Sequence, residues 1–242
     1  MTGFDFSLIA DHSALLLTGA AMTVYVVIVS FVLAFGFGIV VALLSFLPGA
    51  VPRAFLSAYS IVLRSIPFII VLFIVYYGLP FAGFHLSALL VGILALSFYK
   101  SAYYGEIIRA AIVALPRGQF ESARAVGMSP RQAFVHVIAP QLVRGLLPPS
   151  TNMTLTLIKE SSVLSTVTIG ELTYQGMVMQ GATYAPLECF AAVSGLYWAL
   201  CAGTAWIAGR LERRAGLAQK AAIDRNPLAA SFLSFERPKV RR

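Results

Sequence analysis

Charged residues are scarce in this sequence. Only 12% of its 242 residues are Asp, Glu, Lys or Arg, whereas 59% are hydrophobic; soluble domains have about 25% charged residues. A soluble chain of this size cannot hide so much apolar surface, because the outside of a domain needs polar cover. The composition therefore argues against a soluble enzyme and indicates an integral membrane protein.

Cysteine is nearly absent, and no metal-binding pattern occurs. Cys189 and Cys201 are twelve residues apart in one apolar run, which on a helix separates them by roughly 18 Å and prevents a disulfide. His85 and His136 lie in predicted loops, and no cluster of His, Cys and Asp has metal-ligand spacing. We therefore expect no metal site and assign both cysteines to helix packing.

A nucleotide-binding loop is missing as well. The sequence contains no Gly-x-x-x-x-Gly-Lys motif and no Gly-Lys pair, so any nucleotide has to be bound by a partner. No set of nucleophile, base or metal ligands converges on a catalytic site within the apolar stretches. These absences argue against an enzyme and favour a transport protein, which from the apolar stretches alone is equally well a channel or a secondary transporter.

Long apolar stretches predict an all-α integral membrane protein. A bilayer core of about 30 Å needs roughly 20 helical residues, and the stretch from Ala14 to Leu47 contains no charged residue. The fourth stretch is rich in Ser and Thr, and hydropathy alone would hardly identify it. The five predicted spans are about 14–47, 54–79, 86–108, 146–168 and 187–208.

The basic residues determine the predicted orientation. They are concentrated at Arg53, in the 109–144 loop, which has five arginines, and after Ala208, where nine basic residues follow. Residues 1–13 and 169–186 contain none. Because basic loops stay on the cytoplasmic side, the polar fourth stretch must cross the membrane. The prediction is five spans, with the N-terminus outside and the C-terminus inside.

The domain organisation follows from this topology. Residues 1–13 are predicted to form an extracytoplasmic or interfacial N-terminus, 14–211 a transmembrane domain, and 212–242 a cytoplasmic basic tail close to anionic lipid. The apolar run after the N-terminus is too long for a signal peptide. No internal repeat supports the inverted-repeat architecture of secondary transporters, and nucleic-acid binding is not expected.

The 109–144 loop has unusually tight helix punctuation. A short helix is predicted to end at Gly127, because glycine adopts the left-handed cap conformation without penalty. A second helix is predicted to begin at Ser129, with Pro130 at its first position and Gln132 placed for a capping box. Pro140 is expected to end it. This stiff helix–turn–helix favours a docking surface over an ordinary polar linker.

The same loop resembles a motif of ABC importers. Their inner-membrane permeases carry Glu-Ala-Ala, three residues, Gly, nine residues and Ile-x-Leu-Pro. This chain has Glu121, Ala123, Gly127 and Pro140 in register and departs from the pattern at Ser122, Val137 and Ala139. The resemblance implies the type I importer permease fold, in which this short helix is the coupling helix that docks in an ATPase subunit. The implied coupling residues are Gln119, Glu121, Ser122, Ala123, Ala125 and Gly127.

Flanking segments resemble the polar amino-acid branch of this family, which takes up histidine, glutamate, glutamine, arginine or opines. They are Arg64-Ser65-Ile66-Pro67, Tyr104 to Arg109, Pro116 to Gln119, Leu157 to Ser162 and Gly170 to Gly176. Glu160 departs from the Asp that is usual in this branch. The resemblance therefore implies a polar amino-acid substrate, with a different small solute as the alternative.

The resemblance also implies the partners and the location. The expected complex has two ATPase subunits that bind ATP and Mg, a second permease that is identical or a paralogue, and an extracytoplasmic substrate-binding protein. Its expected place is the bacterial inner membrane. This chain itself is expected to bind no cofactor.

Ionisable groups within the predicted spans are candidates for function, each with a structural alternative. Arg64, close to Pro67, is favoured as a structural pin to backbone carbonyls over a substrate contact. Lys100 and Glu106 are six residues apart and therefore not on one helix face. Glu106 and Arg109, three apart, are expected to pair near the cytoplasmic interface.

The fourth span has a polar stripe. Asn152, Thr156 and Lys159 follow i, i+4, i+7 spacing, and Glu160 and Ser161 extend the polar set. A polar helix cannot face lipid, so the stripe lines the translocation path or locks helices together. Lys159 could meet a substrate carboxylate and Glu160 an ammonium group, although adjacent residues point in different directions.

Overall fold

The computed structural model describes residues 4–116 and 118–215, and every regular element in these ranges is helical. The predicted basic tail lies outside the described residues from position 216 onward. One π-helical turn lies between α7 and α8, and one 3-10 turn between α8 and α9. The helices are α1 Phe6–Asp11, α2 Ser13–Leu44, α3 Ala50–Ser65, α4 Phe68–Phe81, α5 Ala88–Val113, α6 Gly118–Ala125, α7 Pro130–Ala133, α8 Ala139–Glu160, α9 Leu172–Thr183 and α10 Pro186–Arg214.

The pairing of α2 with α5 forms the centre of the molecule. Helix α2 has 32 residues and is about 48 Å long at 1.5 Å per residue, so it exceeds the thickness of a bilayer core. The two backbones approach closely at Gly38, where an added Cβ would lie 2.8 Å from the Cβ of Tyr104 and 2.9 Å from the backbone nitrogen of Gly105. Small residues permit such close helix contacts in membranes. Gly38 therefore fixes how α2 crosses α5.

The predicted span 54–79 is wrong as a single helix. The chain breaks between α3 and α4 and turns by 106°. Pro67 has no N–H to donate and biases the preceding residue away from helical angles, and Ile66 accordingly has extended φ and ψ of −104° and 135°. The hydroxyl of Tyr99 on α5 donates to the carbonyl of Ile66 at 3.2 Å. A side chain of the neighbouring helix α5 thus provides a hydrogen-bond partner for the carbonyl at the break.

The predicted loop 109–144 is largely helical. Helix α5 continues to Val113. The prediction that Pro140 ends a helix is wrong, because Pro140 is the second residue of α8. The chain runs from α7 into α8 through the π turn Phe134–Ile138, where the N–H of Ala139 donates to the carbonyl of Phe134. These three elements follow one another without a gap, so α7, the π turn and α8 form one continuous rod with Pro140, Pro148 and Pro149 inside it.

The fourth predicted span ends in a change of helix type. Helix α8 passes into the 3-10 turn Ser161–Val167, which ends at Thr168 with a left-handed φ of 59°. The chain then forms α9, a 12-residue helix in the stretch 169–186 for which the sequence predicted no span. A small buried cluster joins the start of α2 to α9 and α10; it consists of Leu16, Leu172, Met179, Cys189 and Val193.

Within residues 4–116 and 118–215, three helices are long and apolar enough to cross a membrane, namely α2, α5 and α10. The bent pair of α3 and α4 adds a fourth crossing if it counts as one span. Helix α8 does not reach that hydropathy because of its polar residues, as expected from the sequence. The fifth crossing remains a prediction that depends on the arrangement of basic residues.

Candidate functional site

The helix α6 ends at Gly127 as predicted. Gly127 has a φ of +83°. Its N–H donates to the carbonyl of Arg124 at 3.0 Å, and the N–H of Met128 donates to the carbonyl of Ala123 at 3.1 Å. These two bonds form a complete Schellman motif, which satisfies carbonyls that would otherwise lack partners at the helix end.

The next helix starts with the predicted capping box. The backbone N–H of Ser129 donates to Oε1 of Gln132 at 2.9 Å, and the N–H of Gln132 donates to Oγ of Ser129 at 3.3 Å. Pro130 occupies the first helical position, where no N–H is needed. The two caps meet with Met128 alone between Gly127 and Ser129. The connection between α6 and α7 is therefore short and internally bonded.

The structure divides the predicted coupling residues into two groups. Glu121, Ser122 and Ala125 are exposed. Ala123 is 5% exposed, and Oε1 of Gln119 accepts a hydrogen bond of 3.1 Å from Gln141 on α8. The first group is free to contact a partner, while the second attaches α6 to its own chain.

Two exposed apolar side chains at the two ends of α6 were not predicted. Phe120 is 41% exposed and Val126 is 74% exposed, and the coupling residues Glu121 and Ala125 lie next to them. Val126 follows Ser122 by four residues and therefore adds an apolar side chain to the side of α6 that presents Ser122. The signal was present in the sequence as hydrophobic residues within an otherwise polar helix. We call Glu121, Ser122, Ala125 and Val126, which follow i, i+1, i+4 and i+5 spacing on one side of α6, the docking face.

The polar stripe of α8 faces away from the rest of the described chain. Asn152 and Lys159 are exposed and Thr156 is partly buried, and the hydroxyl of Thr156 donates to the carbonyl of Asn152 at 3.0 Å. Ser161 does not join this stripe. It is fully buried, and its hydroxyl donates to the carbonyl of Ile158 at 2.7 Å.

A buried ion pair links α5 to the end of α8. Nζ of Lys100 lies 2.9 Å from Oε2 of Glu160, and the two side chains are 1% and 28% exposed. At this distance the ammonium and the carboxylate are in direct contact, so the charge of Glu160 is paired within the chain. Helical spacing relates Lys100 only to residues of its own helix, so this pair was not predicted. A partner sixty positions away leaves no periodic signal.

The predicted pair of Glu106 and Arg109 is present. Nε of Arg109 donates to Oε2 of Glu106 at 3.0 Å. Both residues line a cavity of about 410 Å³ between α2, α3 and α5, together with Arg64. The guanidinium of Arg64 lies 5.7 Å from the centroid of the Tyr103 ring, so its observed contact is with an aromatic face rather than with backbone carbonyls.

Glu171 is a buried carboxylate with many partners. It is fully buried and accepts hydrogen bonds from the N–H groups of Thr173 and Tyr174, both at 2.9 Å, and from the Tyr197 hydroxyl at 2.7 Å. It is the N-cap of α9. Because its oxygens are occupied by the helix start and by α10, Glu171 stabilises the arrangement of α9 and α10.

Within the described residues, no group of three or more His, Cys, Asp or Glu side chains could hold a metal ion. The chain instead combines a capped helix with an exposed docking face, a continuous rod, and a helix whose polar stripe is unpacked. Because the rod is continuous, a displacement of α7 can move the polar stripe of α8.

Comparison with known proteins agrees with this arrangement. Residues 34–216 match the family described as "binding-protein-dependent transport system inner membrane component". A probable glutamine ABC transporter permease of Bacillus subtilis is 31% identical over 86% of this chain and 99% of the relative. An arginine transport system permease of the same organism is also 31% identical, over 87% of this chain and 96% of the relative.

A solved structure has the same fold. The crystal structure of an amino acid ABC transporter with histidines superimposes with a TM-score of 0.80, at 30% identity, over 88% of this chain and 100% of the other. Both the family match and the overlap with the relatives include α6 and the rod formed by α7, the π turn and α8. The chain therefore belongs to the family of inner-membrane components of binding-protein-dependent transport systems.

Proposed function

We propose that this chain is a permease subunit of an ATP-driven ABC importer and forms part of the path for a polar amino acid. The observation that carries this proposal is the near-complete overlap with amino-acid permeases, whose matched region includes the docking face. A channel or a secondary transporter has no use for such a docking surface. The runner-up is a permease for another small solute, which uses the same machinery.

The family requires partners of two kinds. A binding-protein-dependent system has a substrate-binding protein, and ATP hydrolysis is supplied by separate ABC ATPase subunits. For this chain we propose two such ATPases, which bind ATP and Mg, and a second permease that is identical or a paralogue. The exposed polar stripe of α8 supports the second permease, because a polar face in the membrane needs a protein or aqueous neighbour.

We propose that the N-terminus lies outside and the C-terminus in the cytoplasm, with five crossings. The support is the positive-inside rule. The connections around α6 and α7 contain Arg124 and Arg131, and α10 ends with Arg213 and Arg214, whereas residues 169–186 contain no basic residue. The docking face and the end of α10 then share the cytoplasmic side, where the ATPases are.

The proposed coupling path runs along the rod. Closing of the ATPases displaces the docking face, and the hydrogen bond between Gln119 and Gln141 transfers this displacement from α6 to α8. Since α7, the π turn and α8 are continuous, movement of α6 and α7 also shifts α8 directly. The polar stripe of Asn152, Thr156 and Lys159 is part of the moving helix. The push is thereby converted into a change at the path.

The experiment is reconstitution of the complex with its ATPase and binding protein, followed by uptake and ATPase assays with amino acids, a sugar and an oligopeptide. We expect stimulation by at least one polar amino acid. Uptake of the sugar or the peptide with no amino acid carried would refute the substrate class.

The stripe is tested in the same assay with Asn152→Ala and Thr156→Val, which remove polar groups from one face of α8. Ser150→Ala is the matched control, because Ser150 precedes Asn152 by two residues and lies on the opposite side of α8, and its hydroxyl has no hydrogen-bond partner among the described residues. We expect a severalfold loss of transport in the stripe variants, in keeping with the loss of one or two hydrogen bonds to a bound polar ligand. Normal transport in both stripe variants would refute the site and leave the substrate class intact.

A further inference from the structure

The carboxylate at the end of α8 is already occupied by an internal cation. Lys100 extends from α5 with a fully buried side chain, and its Nζ lies 2.9 Å from Oε2 of Glu160. Charges buried in a membrane protein are held by such pairing, because an isolated charge is costly there. Glu160 is therefore not a free anion that awaits the positive group of a substrate.

A second cation shares an aromatic ring with Lys100. The Nζ of Lys100 lies 5.0 Å from the centroid of the Tyr103 ring, and the guanidinium of Arg64 lies 5.7 Å from the same centroid. Lys159 is adjacent to Glu160 in the chain and is exposed on the polar stripe. Arg64 also lines the cavity that contains the pair of Glu106 and Arg109, so Lys159 is the cation of this group that is exposed beside Glu160.

The end of α8 is also the place where a ligand of the stripe would meet this charge. Glu160 follows Lys159 directly, and its side chain is 28% exposed although Oε2, the atom that contacts Lys100, is itself buried. The α-helix changes into the 3-10 turn at this residue.

We infer that Lys100 sets the charge selectivity of the path: by neutralising Glu160, it excludes amino acids with a cationic side chain and favours those with an acidic or neutral one. This inference rests on the proposed function. Lys100 is a positioning residue, because it acts through Glu160 and is itself buried. A cationic side chain meets a carboxylate that Lys100 already neutralises and the exposed ammonium of Lys159 beside it, whereas an acidic side chain can pair with Lys159.

The test is direct binding to the purified complex of permease and ATPase in lipid nanodiscs, without the binding protein, so that only the path discriminates. The probes are radiolabelled L-glutamate and L-arginine, and the readout is the ratio of their Kd values. Wild type is expected to prefer glutamate. Lys100→Met frees the Glu160 carboxylate and is expected to shift the ratio toward arginine by about tenfold or more, the scale of a typical coupling between sites.

Three further variants separate this role from a structural one. Lys100→Arg keeps the cation and is expected to keep the wild-type ratio. Glu160→Gln frees Lys100 and is expected to shift the ratio further toward glutamate, which tests the inference independently if Lys100→Met does not fold. The double variant Lys100→Met/Glu160→Gln removes both charges and is expected to bring the ratio back toward wild type. Arg210→Met, which removes a cation stacked on Trp206 at the end of α10, is the matched control and should change nothing.

The outcomes are distinct. An unchanged ratio in a folded Lys100→Met or Glu160→Gln complex overturns the inference, and so does a wild-type preference for arginine. In both cases amino-acid binding itself upholds the proposed function. If wild type binds and transports no amino acid, the proposed function fails and the inference falls with it.

Discussion

Replacing Gly127 by alanine tests the coupling assignment with a perturbation whose size is set by the backbone alone. An added Cβ at Gly127 meets nothing within 4 Å, but the residue has a φ of +83°. The cost of alanine in this left-handed conformation is about 1–2 kcal/mol. Because the N–H of Gly127 and that of Met128 close the end of α6, this cost falls on the cap of the coupling helix.

A local cost of about 1–2 kcal/mol raises the population of the frayed helix end by roughly 5- to 30-fold. Insertion into the membrane should be unaffected, because α6 and its cap lie outside the apolar helices. We expect substrate-stimulated ATP hydrolysis and uptake to fall severalfold in Gly127→Ala. Basal ATP hydrolysis, which needs no message from the substrate, should persist.

Gly127→Asn is the matched control, because asparagine tolerates the left-handed region far better than alanine. If the backbone is what matters, Asn retains more coupling than Ala although its side chain is larger. Equal loss in both variants indicates instead that the ATPase packs directly on the glycine. Normal stimulation and uptake in Gly127→Ala, with the protein inserted at normal levels, would refute the assignment of α6 as the coupling helix.

Three further predictions concern topology, docking and stability. Reporter fusions after Gln180 and after Arg214 should report opposite sides of the membrane, and the same side for both contradicts five crossings. Cysteine at Ala125 should cross-link to the ATPase, whereas cysteine at the buried Ala123 should not; equal cross-linking of both argues against the docking face. Glu171→Ala should lower the thermal unfolding midpoint of the purified protein, because cap loss alone costs about 0.5–2 kcal/mol, and Glu171→Gln, which keeps an acceptor oxygen, should lower it less; no change in either contradicts the capping role.

Helix punctuation was predictable because it is a local property. The end of α6 at Gly127 and the capping box at Ser129 depend on residues within a few positions of each other, and both are present as expected. The stop at Pro140 was wrong for a reason that is also local. A π turn, which contains one more residue than an α-helical turn, precedes this proline. Residue propensities do not predict such a turn.

Features that depend on residues distant in the chain could not be predicted from the sequence. The hydropathy of residues 54–79 predicted one helix, but the break at Pro67 is stabilised by a hydroxyl from another helix. The ion pair of Lys100 with Glu160 joins helices far apart in the chain, and periodicity reports only neighbours on the same helix. The buried partners of Glu171 were missed for the same reason.

The π turn Phe134–Ile138 also has a consequence for angular register. A π turn accommodates one extra residue in a helix, and each residue of an α-helix turns the chain by about 100°. The π turn therefore sets the rotation of α8 about its axis, and with it the direction of the stripe of Asn152 and Lys159 relative to the docking face. Deleting one residue there would leave both ends intact as helices but rotate the stripe by about a quarter turn, so that the same push would present a different side of α8.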